Sequence, residues 1–165
     1  MIEYRNTSEF NRGILFDLLI RSYGEWLLEH PMHENDLKRE WQTFDSEAFD
    51  HSDTIGTCVR ITCKNGNPIG LFSWDPRKLP EEGIIGQNCI IPEERNKGYG
   101  RKQIKEMVRL FKRKGTRIIS VTTAGERFFL PARKMYLACG FKEVKRIGRT
   151  MKDPFELVRY EMRVG

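Results

Sequence analysis

Long apolar runs are missing from this sequence, and their absence excludes a helix that crosses a membrane. No stretch approaches the roughly 20 apolar residues that such a helix needs. The first residues include Glu3 and carry no apolar segment of the kind found in export signals, so we expect a cytoplasmic protein. Repeats, low-complexity tracts and Gly/Ser-rich linkers are also missing, which favours a single domain over residues 1–165.

Cysteine is scarce, with four residues in the chain. Without an export signal we expect a reducing compartment, in which thiols stay free. Cys58 and Cys63 lie an odd number of positions apart in a predicted strand, so their side chains should point to opposite faces and cannot share a metal ion. We therefore interpret all four cysteines as small apolar side chains and expect no metal.

The charge balance is positive, with a formal net charge of +6, and the basic residues are concentrated in one segment. Between residues 95 and 117 there are ten Lys or Arg residues, and Glu106 is the only acid. Clustered cations of this kind bind phosphate groups. One hypothesis is nucleic-acid binding by a helix over 101–114, which we rank below a small anionic ligand.

Periodicity predicts seven strands and four helices. Asn65-Gly66-Asn67 separates two strand-like runs and is a strong hairpin signal. The predicted strands cover 2–6, 57–63, 68–74, 83–91, 117–122, 141–147 and 155–162; the helices begin at Thr7 or Ser8, at Asn35 or Asp36, after the loop that follows Pro92, and at Pro131. The order β-α-α-β-β-β-α-β-α-β-β indicates an α+β fold on a mixed, mostly antiparallel sheet flanked by helices.

The segment Pro92–Arg101 has the composition of a phosphate-binding turn. Gly98 and Gly100 allow close approach of the backbone to a ligand, and free N–H groups at the start of a helix attract anions. A Walker A loop is excluded because Gly-Lys-Ser/Thr is missing, and the dinucleotide fingerprint is excluded because Gln103 stands at its third glycine. The plainer alternative is a glycine-rich turn beside a solvated basic face.

Two motifs in the expected order resemble the GNAT (Gcn5-related N-acetyltransferase) superfamily. Arg95-x-x-Gly98-x-Gly100 resembles its acetyl-CoA pyrophosphate loop, usually Gln/Arg-x-x-Gly-x-Gly/Ala. Pro131–Phe141, which contains Ala132, Tyr136 and Gly140-Phe141, resembles its Ala-x-x-Leu-Tyr-x-x-x-Gly-Phe signature. The specific resemblance covers about residues 84–147, and the element order extends it loosely to the whole chain.

The resemblance implies an N-acetyltransferase that uses acetyl-CoA as cosubstrate, without a metal, to acetylate an amine of a small molecule or a protein by direct attack. Main-chain groups of the strand before the loop would bind the pantetheine arm, and Tyr136 would protonate the departing thiolate. The implied cofactor-binding residues are Cys89, Ile90, Ile91, Arg95, Asn96, Lys97, Gly98, Tyr99, Gly100 and Arg101. The alternative for Tyr136 is a core tyrosine with its hydroxyl satisfied by the backbone.

The general base and the acceptor stay open at the sequence level. The strand before the loop offers Gln87 and Asn88 but no carboxylate. Water is one candidate base, and the side-chain candidates are Glu82, Asp75, His30 and His33. The chain departs from many members at Phe129, where they carry an Asn that bonds the pantetheine arm; Thr122 or Thr123 are weak substitutes.

Aromatic residues mark the elements that wall the acceptor pocket in this fold, namely Trp26, Trp41, Trp74 and, beside them, Met32. Helical spacing explains Trp41 and Trp26 as core residues, so Trp74 is the better pocket candidate. A non-catalytic acyl-CoA-binding or regulatory module is the alternative function, since it would keep both glycines and would not need Tyr136. A homodimer is also left open.

Overall fold

The computed structural model describes residues 1–151 and 155–165. Within them the chain forms seven strands and four α-helices in the predicted order. These are β1 (Ile2–Arg5), α1 (Ile14–Glu29), α2 (Glu34–Asp50), β2 (Val59–Lys64), β3 (Asn67–Asp75), β4 (Glu82–Ile90), α3 (Tyr99–Arg113), β5 (Ile118–Ala124), α4 (Leu130–Ala138), β6 (Lys142–Ile147) and β7 (Leu157–Arg163). Short 3-10 turns precede several of them, including Pro92–Glu94 before α3.

The strands form one mixed sheet in the order β1-β2-β3-β4-β5-β7-β6. The pairs β1–β2, β2–β3, β5–β7 and β6–β7 are antiparallel, and β4–β5 is parallel. The parallel pairing joins Glu82–Ile84 to Ile118–Ser120. The predicted α+β class and mostly antiparallel sheet are confirmed.

The chain divides into two compact units. The first contains Met1–Ser73 and Gln87–Tyr99, and the second contains Trp74–Gly86 and Gly100–Gly165. The core of the first unit is built from fully buried side chains of α1, β2 and β3: Leu15, Leu18, Leu19, Ile61, Leu71 and Phe72. The second unit buries the apolar stripe of α3 together with residues of β5 and β7: Ile104, Met107, Phe111, Ile119 and Val158. The sequence spacing predicts one helix face formed by Ile104, Met107, Val108 and Phe111; three of these four are buried and Val108 is half-buried.

The Asn65-Gly66 hairpin is confirmed. Both turn residues have positive φ, 51° at Asn65 and 86° at Gly66, which is the requirement of a type I′ turn. The turn joins β2 to β3, with Lys64 paired to Asn67 across it. Because β2 also pairs with β1, the end of this hairpin is fixed on both sides.

The predicted start of the first helix at Thr7 or Ser8 is wrong. Thr7–Glu9 form a short 3-10 turn, Phe10 lies outside any helix, and α1 begins at Ile14. The reason is a carboxylate from α2. Asp45 accepts hydrogen bonds from the backbone N–H groups of Gly13 (2.9 Å), Leu15 (2.9 Å) and Phe16 (3.2 Å). A side chain about 30 positions away therefore caps α1.

The prediction that Cys58 and Cys63 share a strand is also wrong. Cys58 ends a 3-10 turn that precedes β2, whereas Cys63 lies within β2. Both side chains are buried, and none of the four cysteines forms a disulfide bond. Within the described residues, no three His, Cys, Asp or Glu side chains are grouped so that they could hold a metal ion.

We predict that replacing Asp45 by Ala destabilises the protein by about 2 kcal/mol, because it removes a buried carboxylate that accepts three backbone hydrogen bonds. Urea unfolding followed by circular dichroism measures this change. Asp50→Ala is the matched control, since Asp50 lies on the same helix but pairs with Arg12 at the surface, and no measurable change is expected for it. Equal unfolding midpoints for the two variants would contradict the capping role.

Candidate functional site

The turn between β4 and α3 has an unusual backbone. Asn96 and Gly98 both have positive φ, 62° and 86°, and α3 begins at the next residue, Tyr99. Asparagine and glycine are the residues that adopt this conformation at least cost. A Cβ built on Gly98 would have nothing within 4 Å among the described residues outside its immediate chain neighbours. The space beside the start of α3 is therefore open at Gly98.

The start of α3 has the electrostatic character of an anion site. The N–H groups of a first helical turn lack partners within the helix, and the helix dipole makes that end positive. The first turn of α3 contains no acidic residue and includes Arg101 and Lys102, both exposed. A phosphate group would meet backbone donors and cations without an opposing carboxylate from the helix.

The two glutamates of the turn are neutralised by cations of the same unit. Glu93 Oε1 lies 2.9 Å from Arg21 Nη2. Glu94 Oε2 lies 3.0 Å from Lys64 Nζ and 3.1 Å from Lys97 Nζ. The hydrogen bonds from Lys64 and Lys97 lower the pKa of Glu94, and a backbone hydrogen bond at Glu93 followed by that from Arg21 lowers the pKa of Glu93. Both carboxylates are therefore ionised at neutral pH.

Arg95 is bound to the protein backbone. Its Nε donates to the carbonyl of Ile90 at 3.1 Å, and its Nη2 donates to the carbonyl of Ser22 in α1. These bonds tie the turn to the end of β4 and to the middle of α1. For Arg95 the structure thus favours a supporting role in the turn over direct contact with a phosphate. Lys97 and Arg101 are exposed, so their side chains are accessible to a ligand.

The end of β4 presents its backbone in alternating directions. Cys89, Ile90 and Ile91 are all buried. The Ile91 N–H donates to the carbonyl of Ile69 in β3 at 2.8 Å, so this group is already used. Because successive backbone groups of a strand point to opposite edges, Ile90 directs its N–H away from β3, and its carbonyl accepts the hydrogen bond from Arg95. Among the three residues predicted to bind a ligand through the backbone, Ile90 is the best oriented.

Three consecutive residues of α1 hold this region, and sequence reasoning missed them. Arg21 pairs with Glu93, the Ser22 carbonyl accepts from Arg95, and the Tyr23 hydroxyl donates to the carbonyl of Asn88 at 3.4 Å. The Tyr23 ring also stacks on Trp41 of α2, with 5.5 Å between centroids. Nothing in the local sequence signals these contacts, because each joins residues 65 or more positions apart.

The Cys89 thiol is protonated at neutral pH. Burial raises its pKa to about 11, although Ser22, the Leu71 backbone and Arg95 act in the opposite direction. Burial also raises the pKa of Cys63 and of Cys139. Since the thiolate is the nucleophilic form, these three cysteines are poor nucleophiles.

Tyr136 lies in the core of the second unit. It is 4% exposed, and its ring packs against Phe141 and Tyr160, with centroid distances of 5.9 and 5.8 Å. The signature segment around it forms α4, which ends at Ala138 before a left-handed Gly140. Packing alone accounts for the ring of Tyr136, so a chemical role rests on its hydroxyl.

The side-chain candidates for a general base have distinct environments. Asp75 is paired with Arg77, with Oδ2 2.6 Å from Nη2, and the hydrogen bond from Arg77 lowers its pKa, which makes it a weak base. Glu82 Oε1 lies 2.8 Å from Arg159 Nη2. The His30 ring stacks on Trp26 with centroids 4.0 Å apart, and the His33 ring lies 6.1 Å from the same indole.

The three tryptophans are core residues, with exposures of 4% at Trp26, 5% at Trp41 and 7% at Trp74. Trp74 packs edge-to-face on Phe111, at 6.3 Å between centroids. Met32, by contrast, is 79% exposed. Phe129 packs on Phe128, while Thr122 and Thr123 lie in β5, where Thr122 is exposed and Thr123 half-buried.

Comparison with known proteins identifies a family. The sequence profile described as the acetyltransferase (GNAT) family matches residues 14–141. No curated protein sequence matches the chain. Within the described residues, none of the helices is both long and apolar enough to cross a membrane.

Solved structures with the same fold are distant in sequence. A putative acetyltransferase of the GNAT family from Desulfovibrio desulfuricans matches 100% of this chain and 99% of its own, with 15% identity and a TM-score of 0.75. A GNAT family acetyltransferase from Elizabethkingia anophelis, with acetyl-CoA bound, matches 99% of this chain and 97% of its own, with 15% identity and a TM-score of 0.67. The ribosomal-protein-S18-alanine N-acetyltransferase from Escherichia coli matches 65% of this chain and 68% of its own, with 14% identity and a TM-score of 0.55.

We predict that Cys89 resists alkylation in the native protein. Its thiol is buried and its pKa is about 11, so the thiolate fraction at pH 8 is about one in a thousand. Iodoacetamide treatment at pH 8 followed by peptide mass mapping should label the half-buried Cys139 before Cys89. In urea both should react, and faster labelling of Cys89 than of Cys139 in native protein would contradict this assignment.

Proposed function

Because the chain belongs to the GNAT family of acetyltransferases, we propose that it transfers an acetyl group from acetyl-CoA to the amine of an acceptor. The observation that carries the proposal is the turn before α3. It combines a left-handed Gly98, open space beside that residue and a helix start without acidic side chains. This combination suits a pyrophosphate group.

In this proposal the turn binds the pyrophosphate of acetyl-CoA. The N–H groups from Gly98 to Arg101 donate to phosphate oxygens, and the side chains of Lys97 and Arg101 contribute positive charge. Asn96 supplies the second left-handed residue that shapes the turn, and Tyr99 and Gly100 begin the helix. Arg95 supports the turn through its bonds to Ile90 and Ser22.

The end of β4 binds the pantetheine arm through its backbone. Ile90 is the first choice because its N–H points away from β3, whereas its carbonyl already accepts from Arg95. Cys89 and Ile91 contribute mainly packing, since both side chains are buried and the Ile91 N–H is bonded to Ile69. An N–H group directed at the thioester carbonyl would also stabilise negative charge that develops on its oxygen.

The proposed reaction is a direct transfer. Acetyl-CoA supplies an acetyl group activated as a thioester. The neutral amine of the acceptor attacks the carbonyl carbon, a C–N bond forms, the C–S bond breaks, and the amine loses a proton while the CoA sulfur gains one. A covalent acetyl-cysteine route is disfavoured, because burial keeps the Cys89 thiol protonated.

Tyr136 is the proposed proton donor to the departing sulfur, and water is the proposed acceptor of the proton from the amine. Among the side-chain bases, the pairing of Asp75 with Arg77 argues against Asp75. The acceptor is an amine of a small molecule or a protein. The alternative function, an acyl-CoA-binding module without catalysis, would bind acetyl-CoA and release no CoA in the presence of amines.

We predict that acetyl-CoA raises the melting temperature of the wild-type protein. At about 100 times the dissociation constant, binding contributes about 2.7 kcal/mol, which corresponds to roughly 5 to 10 °C for a chain of this size. Gly98→Glu should abolish the shift because it places a carboxylate at the pyrophosphate site. Gly98→Gln is the matched control, since it has the same backbone strain and no charge. Its melting temperature should rise more with acetyl-CoA than that of Gly98→Glu. The absence of a shift in wild type at millimolar acetyl-CoA would refute the proposal.

We predict that Tyr136→Phe lowers kcat by about 10- to 100-fold and leaves the KM for acetyl-CoA nearly unchanged, because the ring and its packing are kept while the proton donor is lost. The assay follows CoA release with a thiol reagent during a screen of amine acceptors. Tyr160→Phe, a second buried tyrosine of the same cluster, is the control and should retain activity. Unchanged kcat in Tyr136→Phe would assign Tyr136 to the core alone.

A further inference from the structure

Lys64 lies outside the turn that precedes α3, yet its side chain reaches that turn. It is the last residue of β2, and its backbone is paired with Ile2 of β1 and with Asn67 of β3. The adjacent Asn65-Gly66 turn has the tight geometry described above. Lys64 therefore extends its ammonium group from a point that the sheet holds on both sides.

The Lys64 ammonium contacts both arms of the turn. Its Nζ lies 3.0 Å from Glu94 Oε2, before the two left-handed residues, and 5.5 Å from the centroid of the Tyr99 ring, after them. An ammonium group over an aromatic face is attracted by the ring, so the second contact is favourable as well. One cation from β2 thus spans the segment that includes Asn96 and Gly98.

A second lysine uses the same carboxylate oxygen. Lys97 Nζ lies 3.1 Å from Glu94 Oε2, so Glu94 joins two ammonium groups. The side chains of Lys64 and Glu94 are 31% and 18% exposed, which strengthens their interaction relative to a fully solvated pair. Glu94 carries one negative charge against two positive ones, so the cluster keeps a net positive charge beside Gly98.

We propose that Lys64 is a positioning residue for the pyrophosphate of acetyl-CoA. It acts through Glu94, which orients Lys97, and through Tyr99, which begins α3. This inference rests on the proposed function. Lys64 and Glu94 hold the two arms of the turn at the spacing that presents the N–H groups of α3 to the ligand, and without them the turn must be ordered when the ligand binds.

The geometry separates this role from a simple attraction between charges. If Lys64 only added positive charge, then Glu94→Gln, which removes a negative charge beside the phosphate site, would tighten CoA binding. If Lys64 and Glu94 act as a unit that positions the turn, Glu94→Gln weakens CoA binding in the same way as Lys64→Met. The double variant, Lys64→Met with Glu94→Gln, then binds CoA no more weakly than either single variant.

The test measures CoA binding by calorimetry in the full chain. Lys64→Met keeps an apolar stem of similar length and should weaken CoA binding by about 5- to 10-fold. Glu94→Gln should weaken it similarly, and Lys64→Arg should stay within about twofold of wild type because it keeps the bridging charge. Lys38→Met is the matched surface control, since Lys38 pairs with Glu34 on α2 and should have no effect.

Two further readouts complete the test. Pantetheine lacks the pyrophosphate, so its affinity at millimolar concentration should be equal in wild type and Lys64→Met. Amide hydrogen exchange over residues 93–100 of the ligand-free protein should be faster in Lys64→Met and unchanged in Lys38→Met. Three results would each overturn the inference: equal CoA affinity in wild type and Lys64→Met, tighter CoA binding in Glu94→Gln, or a loss of pantetheine affinity in Lys64→Met as large as its loss of CoA affinity. Failure of wild type to bind CoA would instead refute the proposed function itself.

Discussion

The hydrogen bonds of the Arg95 guanidinium are the interaction on which the region before α3 depends. They join the carbonyl at the end of β4 to a carbonyl in the middle of α1, and the turn leaves the sheet from this point. One planar group with several N–H donors reaches both carbonyls; the Ser22 carbonyl, which lies in the middle of a helix, accepts from Arg95 in addition to its bond within α1. The two left-handed residues that follow, Asn96 and Gly98, are thereby placed next to a fixed base.

The turn is fixed from two sides by charges of opposite sign. Arg21 holds Glu93 from α1, and Lys64 holds Glu94 from β2. Exposed ion pairs contribute little individually, but both of these connect the same short segment to rigid elements. Because both glutamates have lowered pKa values, the ties persist through neutral pH and weaken only in acid, when the carboxylates become protonated. The same acidic side chains that reduce the net charge of the turn therefore order it.

Sequence signals correctly predicted the structural features that depend on residues close together along the chain. Asn65-Gly66 specified its turn because both residues tolerate positive φ, and the stripe of Ile104, Met107 and Phe111 specified the buried face of α3. The start of α1 was mispredicted because its cap, Asp45, is contributed by another helix. Lys64 and Arg21 were not identified as parts of the candidate site for the same reason. From sequence alone, a lysine at the end of a strand and an arginine on a helix are interpreted as ordinary solvated residues. Their ion pairs with Glu94 and Glu93 form only in the folded chain.

The chemistry expected of Tyr136 is limited by the acidity of its partners. A CoA thiol with the ordinary thiol pKa of about 8.5 is a stronger acid than a phenol of pKa about 10, so complete proton transfer from tyrosine to the thiolate is uphill by about 2 kcal/mol. Such a donor acts by partial transfer as the C–S bond breaks, and the thiolate can also leave unaided at a lower rate. The larger part of any rate enhancement must then come from holding amine and thioester together and from donors at the carbonyl oxygen. A tyrosine packed as a core residue between Phe141 and Tyr160 is therefore compatible with the proposed role, because packing fixes its ring and the proposed step requires only its proton.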